Sequence, residues 1–162
     1  MKDELFNQHR SLGVKRADLH EDTIHIVTAG CGVPVNKPQT LLLVEDDRHI
    51  ALAFKIRLTA AGYTVYMCTS VTEARAIAGV CTLDAAVFDI NLPDGNGLDL
   101  MVELQARQQA KPIVCIVMSA SKTVGLREKA MKMGAYEFLE KPFHSAELLD
   151  AIQSHFAIAH AS

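Results

Sequence analysis

The chain has 162 residues, 49% of them hydrophobic and 22% charged, as expected of one globular domain with an ordinary core. A formal net charge of −3 argues against the clustered Lys and Arg that draw a protein to nucleic acid or to an anionic membrane, so no direct nucleic-acid contact is expected. The acidic residues of MKDELFNQHR do not suit a signal peptide, and no uncharged apolar run is long enough to span a bilayer, which points to the cytoplasm without membrane insertion.

Residues 1–38 carry scattered charge and the breaker-rich run Gly30, Gly32, Pro34 and Pro38, so they read as an N-terminal extension or linker of unassigned role. Within them only Thr23–Thr28 (TIHIVT) reads as a strand, and His9, His20, His25 and Cys31 match no compact metal-ligand spacing. Residues 39–159 form a single domain, followed by a short tail, 160–162. Its pattern alternates short apolar runs with longer amphipathic stretches.

In chain order, strands are predicted at Thr40–Val44, Thr64–Cys68, Ala85–Phe88, Ile113–Met118 and Tyr136–Leu139, each short and apolar enough to be buried on both faces. Between them the spacing predicts helices. Ile50, Phe54, Leu58 and Ala61 mark one face of the first, which Gly62 ends. Ser70 and Glu73 form a capping box ahead of the second, before Ala74 and Ile77. Residues 93–97 (PDGNG) read as a loop leading into the third helix, which runs through Leu98 and Leu104. Gly134 stops the fourth after Met133, and the fifth starts near His144 and Ser145 and carries Leu148, Ile152 and Phe156, with His155 and His160 near its exposed end. Strands alternating with single helices require right-handed crossovers, so the fold is α/β, a doubly wound five-stranded parallel sheet. Cys31, Cys68, Cys81 and Cys115 are widely spaced without a C-x-x-C pair and read as small hydrophobes in a reducing compartment.

In such sheets ligands bind beyond the carboxyl ends of the strands. Four of the five ends deliver reactive groups: Glu45, Asp46 and Asp47 after the first, Asp89 after the third, Ser119 after the fourth, and Lys141 with Pro142 after the fifth. Carboxylates held about 4 Å apart repel by roughly 4 kcal/mol per pair at an effective dielectric near 20. Something positive must lie among them. A hard divalent ion such as Mg²⁺ takes carboxylate, carbonyl, water and phosphate oxygens, whereas the soft ligands that zinc or copper prefer are missing. A phosphoryl group there would find further donors in the Ser119 hydroxyl and the Lys141 ammonium, and Asp89, alone and central, is the candidate nucleophile for an aspartyl phosphate.

LLLVEDD, FDINLPDGNG, VMSA and FLEKPF, in this order, resemble the four landmarks of the response-regulator receiver (CheY-like) family of two-component signalling, over about residues 39–159. The resemblance implies a flavodoxin-like strand order 2-1-3-4-5, the order of the chemotaxis receiver, which is borrowed with the resemblance and does not follow from the spacing. It implies that Glu45 and Asp46 hold Mg²⁺, with Mn²⁺ as a substitute, together with Asp89 and the backbone carbonyl of Asn91; Asp46 is the direct ligand and Glu45 acts partly through water, while Asp47 lies outside the pair. It also implies Asp89 as phosphoacceptor, Lys141 as phosphate-binding lysine with a cis peptide to Pro142, and Asn91 and Ser121 as rate-modulating positions. Ser119 and Phe138 become the switch pair, Ser119 moving toward the phosphate and Phe138 filling the space behind it, so that the face of the fourth helix, fifth strand and fifth helix changes.

The implied partners are a sensor histidine kinase or histidine phosphotransfer protein and a downstream protein target, with a homodimer through the switching face left open. The chain is then a phosphoacceptor that assists its own phosphorylation and dephosphorylation rather than an enzyme with turnover. Four alternatives stand beside this reading. One is a phosphoryl shuttle in a phosphorelay, and another is an interaction module that works without phosphorylation. An FMN binder would need backbone phosphate donors where Glu45, Asp46 and Asp47 stand. An aspartyl phosphatase would need a second aspartate where Asn91 stands. No output domain is expected after the fifth helix, so the chain reads as a stand-alone receiver, a relay or a fragment. The charges of the fourth and fifth helices, Arg127, Glu128, Lys129, Lys132, Glu147 and Asp150, read as solvated surface.

Overall fold

Period-two alternation within uninterrupted apolar runs gives each central strand two buried faces, and the computed structural model of the chain is organised around that demand. It describes residues 38–108 and 111–159, the last two by backbone alone. These belong to the unit Asn36–Ser162. The strand expected at Thr23–Thr28, the three leader histidines, Cys31, His160 and the tail lie outside the described residues.

The main strands are β1 Thr40–Val44, β2 Thr64–Cys68, β3 Ala85–Asp89, β4 Val114–Ser119 and β5 Glu137–Glu140. They pair in parallel in the order β2-β1-β3-β4-β5. The helices are α1 Arg48–Ala60, α2 Val71–Ala78, α3 Gly97–Arg107, α4 Leu126–Lys132 and α5 Ser145–Ala159. Leu42, Val44, Ala86, Phe88, Cys115 and Val117 face one core layer with α2, α3 and α4, and Leu41, Leu43, Ala85, Val87, Ile116 and Met118 face the other with α1 and α5. Cys68 and Cys115 are buried and Cys81 is half-buried.

β1 and β2 fall at the predicted bounds, whereas β3, β4 and β5 run one residue further toward their carboxyl ends, β4 and β5 also starting one residue later. Asp89, Ser119 and Glu140 each belong to a strand, because the ladder continues through Asp89 opposite Met118 and Ser119 opposite Glu140. The α1 stripe also differs. Its inward residues are Ala51, Phe54 and Leu58, whereas Ile50 is 38% exposed and Ala61 is the exposed C-cap. Phe54 and Leu58 centre the inward face, and a step of three back to Ala51 lies nearer that centre than a step of four back to Ile50. His155 is half-buried rather than exposed, packed edge-on to Tyr136 at 4.7 Å.

Ser70 caps α2 by accepting from the Glu73 N–H at 3.2 Å, but Glu73 reaches back to the N–H of Thr69 at 2.7 Å, one residue earlier than a regular capping box. Asp94 completes that cap from across the chain, accepting from the N–H groups of Val71 (2.7 Å) and Thr72 (2.9 Å) and from the Thr72 hydroxyl (2.7 Å). PDGNG is therefore more than a loop: Asn91–Leu92 and Gly95–Asn96 pair as a small hairpin with Asp94 in its turn. Gly97 then brings α3 against the end of β3, where an added Cβ would lie 1.9 Å from the Asp89 carbonyl oxygen.

Two outcomes follow from these contacts. Gly97→Ala must displace backbone and is expected to cost about 3 kcal/mol of stability, read as a lowered urea midpoint at unchanged m; a loss within experimental error would refute the close approach. Asp94 is held below its ordinary value of 3.8 by the Thr72 hydroxyl and the two backbone N–H groups. Its folded form binds fewer protons than the unfolded chain, so its contribution is present above that value and lost as pH falls through the depressed one. Asp94→Asn should thus lower stability at neutral pH and flatten its decline below about pH 4; an unchanged acid limb would contradict the cap.

Candidate functional site

β1, β3, β4 and β5 end on the same side of a parallel sheet, so the residues after β1, ending β3 and ending β4, and following β5 converge. Among the described residues the buried polar or charged side chains are Glu45, Asp89 and Ser119, all at this edge. Asp46 is exposed beside them. One carboxylate oxygen from each of Glu45, Asp46 and Asp89 falls within 4.8 Å of the others. Asp47 stands apart from the cluster as the cap of α1, accepting from the N–H groups of His49 (2.8 Å) and Ile50 (3.2 Å), and those bonds to Ile50 and His49 hold its carboxyl below the usual range.

Lys141 crosses from the far end of the sheet into this cluster. Its backbone N–H donates to the Ser119 carbonyl at 2.8 Å, and its peptide bond to Pro142 is cis. Its Nζ donates to Glu45 Oε2 at 2.6 Å and makes a short ion pair with Asp89 Oδ2. Burial pushes the Glu45 carboxyl up; Lys141 opposes that by hydrogen bond and charge, and Asp89 adds to it. For Lys141 burial acts downward, but the hydrogen bonds and charges of Asp89 and Glu45 together outweigh it and hold the ammonium above its ordinary value.

Asn91 and Ser121 bond to this edge through their backbone N–H groups, and Phe138 lies in the core. The Asn91 N–H donates to Asp89 Oδ1 at 3.0 Å, while its side chain is exposed. Ser119 Oγ accepts from the Ser121 N–H at 3.0 Å, and the Ser121 hydroxyl shares a 2.7 Å bond with that of Thr123. Phe138 is 1% exposed, beneath α4. Sequence reasoning passed over Asp94, Gly97 and Arg127 at this edge; the proline and glycine around Asp94 and Gly97 were the available signal, whereas Arg127 stood among other surface charges.

Three carboxylates around one ammonium leave the cluster with excess negative charge. Its donors are oxygen only and one of them faces solvent, which suits a hard divalent cation that keeps part of its water shell. The residues present therefore fit the Mg²⁺ that the family resemblance implies.

A family model described as the response regulator receiver domain matches residues 41–153. The chain is 29% identical over 114 residues to the cell cycle transcriptional regulator CtrA of Caulobacter vibrioides, covering 70% of this chain and 48% of that protein. It is 32% identical over 114 residues to the transcriptional regulatory protein CusR of Escherichia coli, covering 70% and 49%. The chain thus spans about half the length of these curated relatives. Its fold is similar to that of a CheY-like receiver domain protein from Methanospirillum hungatei, with a TM-score of 0.71 and 23% identity over 77% of this chain and 98% of that one.

Lys141→Ala leaves Glu45 and Asp89 buried beside each other without their cation. In metal-free buffer at neutral pH it is expected to cost about 3 kcal/mol, and adding Asp89→Asn should recover part of the loss by removing one of the two charges. A double variant no more stable than Lys141→Ala would show that repulsion between these carboxylates is not the cause.

Proposed function

Because the chain belongs to the response regulator receiver domain family of two-component systems, we propose that it accepts a phosphoryl group on Asp89 from a histidine kinase or phosphotransfer protein in the cytoplasm. The observation that supports this most directly is the position of Asp89: the last residue of a central strand, 5% exposed, with Lys141 and the carboxylates of Glu45 and Asp46 around it.

In this reading a carboxylate oxygen of Asp89 forms the new bond to phosphorus while the donor's P–N or P–O bond breaks and the donor keeps that electron pair. Mg²⁺, with Mn²⁺ as a substitute, would be held by Asp46, Asp89, the Asn91 backbone carbonyl and Glu45, and when bound supplies positive charge to the carboxylates and to the phosphoryl oxygens. Glu45 is already engaged by Lys141 through one oxygen, which favours a role partly through water. Lys141, with its ammonium beside the acceptor, and Ser119, with its hydroxyl, donate hydrogen bonds to the phosphoryl oxygens. Asn91 and Ser121 flank the path of a hydrolytic water and set how long the aspartyl phosphate lasts. The chain is consumed and restored in this cycle and has no external substrate to turn over, so it is not an enzyme in the ordinary sense.

The output is the surface of α4, β5 and α5, altered when Ser119 and Phe138 rearrange, through which a downstream protein partner binds and through which two copies would associate. No helix among the described residues is long and apolar enough to cross a membrane, in keeping with a cytoplasmic setting.

Intact-protein mass spectrometry after incubation with an acyl or amido phosphate tests the reading. Wild type is expected to gain one phosphoryl group, only with Mg²⁺ or Mn²⁺ present, and Asp89→Asn to gain none while remaining folded. Phosphoryl uptake by Asp89→Asn would remove Asp89 as acceptor, and no uptake by wild type would favour an interaction module that works without phosphorylation. Without any donor, Mg²⁺ at a hundredfold excess over Kd should stabilise the fold by about 2.7 kcal/mol. Asp46→Asn should lose most of that gain, and an equal gain in this variant would take Asp46 out of the metal site.

A further inference from the structure

Phe138 is held by more than packing. Arg127 of α4 lies against its ring, with Cζ 5.5 Å from the centroid. Nη2 of the same guanidinium donates to the Phe138 carbonyl at 2.7 Å, and Nη1 donates to Glu137 Oε1 at 3.1 Å. That Glu137 oxygen in turn accepts the Phe138 backbone N–H at 2.8 Å. One arginine therefore engages the ring and the carbonyl of a single residue and, through Glu137, its amide.

α4 needs such a tie. It has seven residues, its N-cap Gly125 offers no side-chain cap, and its one buried residue is Ala130. So short a helix has little stability of its own. Leu126 and Met133 pack partly against the core, and Gln105 Nε2 fastens the turn after the helix by donating to the Gly134 carbonyl at 2.9 Å. Arg127 fastens the helix to β5.

We propose that Arg127 is a positioning residue for the switch: it holds Phe138 in its buried rotamer and makes the placement of α4 depend on that rotamer, so that helix and ring shift together. The functional meaning rests on the receiver reading above, but the geometry does not. The ring contact carries the coupling to the rotamer, since the backbone carbonyl stays in place when the ring turns, while the bond to that part-buried carbonyl, made by a charged donor, fixes where the helix rests on β5. The Glu137 pair joins side chains 48% and 38% exposed and is screened by water and salt. Lysine would keep the charge but lack the planar fork that reaches two acceptors while stacked on a ring.

Hydrogen–deuterium exchange on the full chain without a phosphoryl donor tests this, comparing wild type with Arg127→Ala, Arg127→Lys and Glu137→Gln. Arg127→Ala is expected to speed exchange about tenfold in α4 and β5, equivalent to about 1.4 kcal/mol, with β1 and β3 unchanged. Arg127→Lys should recover only part of the protection, and Glu137→Gln should stay near wild type at low and high salt. Unchanged exchange in Arg127→Ala, acceleration spread evenly over β1 and β3, or an equal effect of Glu137→Gln would each overturn the proposal. A second readout is affinity for beryllofluoride, a phosphoryl mimic, with Mg²⁺ present, expected to be weaker in Arg127→Ala because coupling between rotamer and bound phosphoryl group is reciprocal in free energy; an unchanged affinity would refute the link to the switch. If wild type takes up no phosphoryl group, the receiver reading fails while the exchange comparison still decides the role of Arg127.

Discussion

The ammonium of Lys141, set between the carboxylates of Glu45 and Asp89, is the contact on which the carboxyl edge of the sheet depends. It joins groups that follow β1, end β3 and follow β5, so three strands must finish at one level for it to form. Without a cation, two buried carboxylates at that spacing would repel in a medium less polar than water. Burial raises the Glu45 carboxyl, while the hydrogen bonds and charges of Asp89 and Glu45 hold the Lys141 ammonium above its ordinary value.

The rest of the fold makes that edge the exception. Both faces of β1, β3 and β4 are covered by helices, and the core layers are apolar throughout. Buried polar side chains are confined, among the described residues, to Glu45, Asp89 and Ser119, and no buried side-chain polar atom there lacks a hydrogen-bond partner. Polarity kept out of the interior and admitted at one strand edge gives a site whose members end strands, as Asp89 and Ser119 do, or directly follow them, as Glu45 and Lys141 do. The chain after β3 is equally fixed. Asp94 ties the hairpin to α2, and Gly97 lets α3 start against the Asp89 carbonyl.

α4 is the contrasting element. It is short, weakly capped and attached through a few side chains, whereas α1 and α5 bury extended apolar stripes. An element so held has a lower cost of displacement than one that buries an apolar stripe. Its tie through Arg127 ends on the one aromatic of β5, so a change in that ring's rotamer and a change in the helix are linked by direct contact rather than by distance.

Much of this was legible in the residues. Short apolar runs separated by amphipathic stretches specify five parallel strands and five helices, because a strand buried on both faces needs apolar side chains at successive positions. The acidic run after β1, Asp89, Ser119 and Lys141 were readable as one site because parallel strands place their carboxyl ends together. What the sequence could not specify was anything set by contact between distant segments. The phase of α1, with Ala51 inward in place of Ile50, follows from the face that Phe54 and Leu58 present to the sheet. The extra strand residues Asp89, Ser119 and Glu140 follow from ladder register, and the capping of α2 by Asp94 spans 23 residues of chain. Arg127 read as one more surface charge until its helix was laid across Phe138. Local pattern determined the elements and the edge at which they meet, because periodicity and turn chemistry are properties of neighbours in the chain; tertiary structure alone decided which charges are paired, which glycine has no room for a side chain and which arginine lies against Phe138, because those depend on residues far apart in sequence coming within a few ångströms.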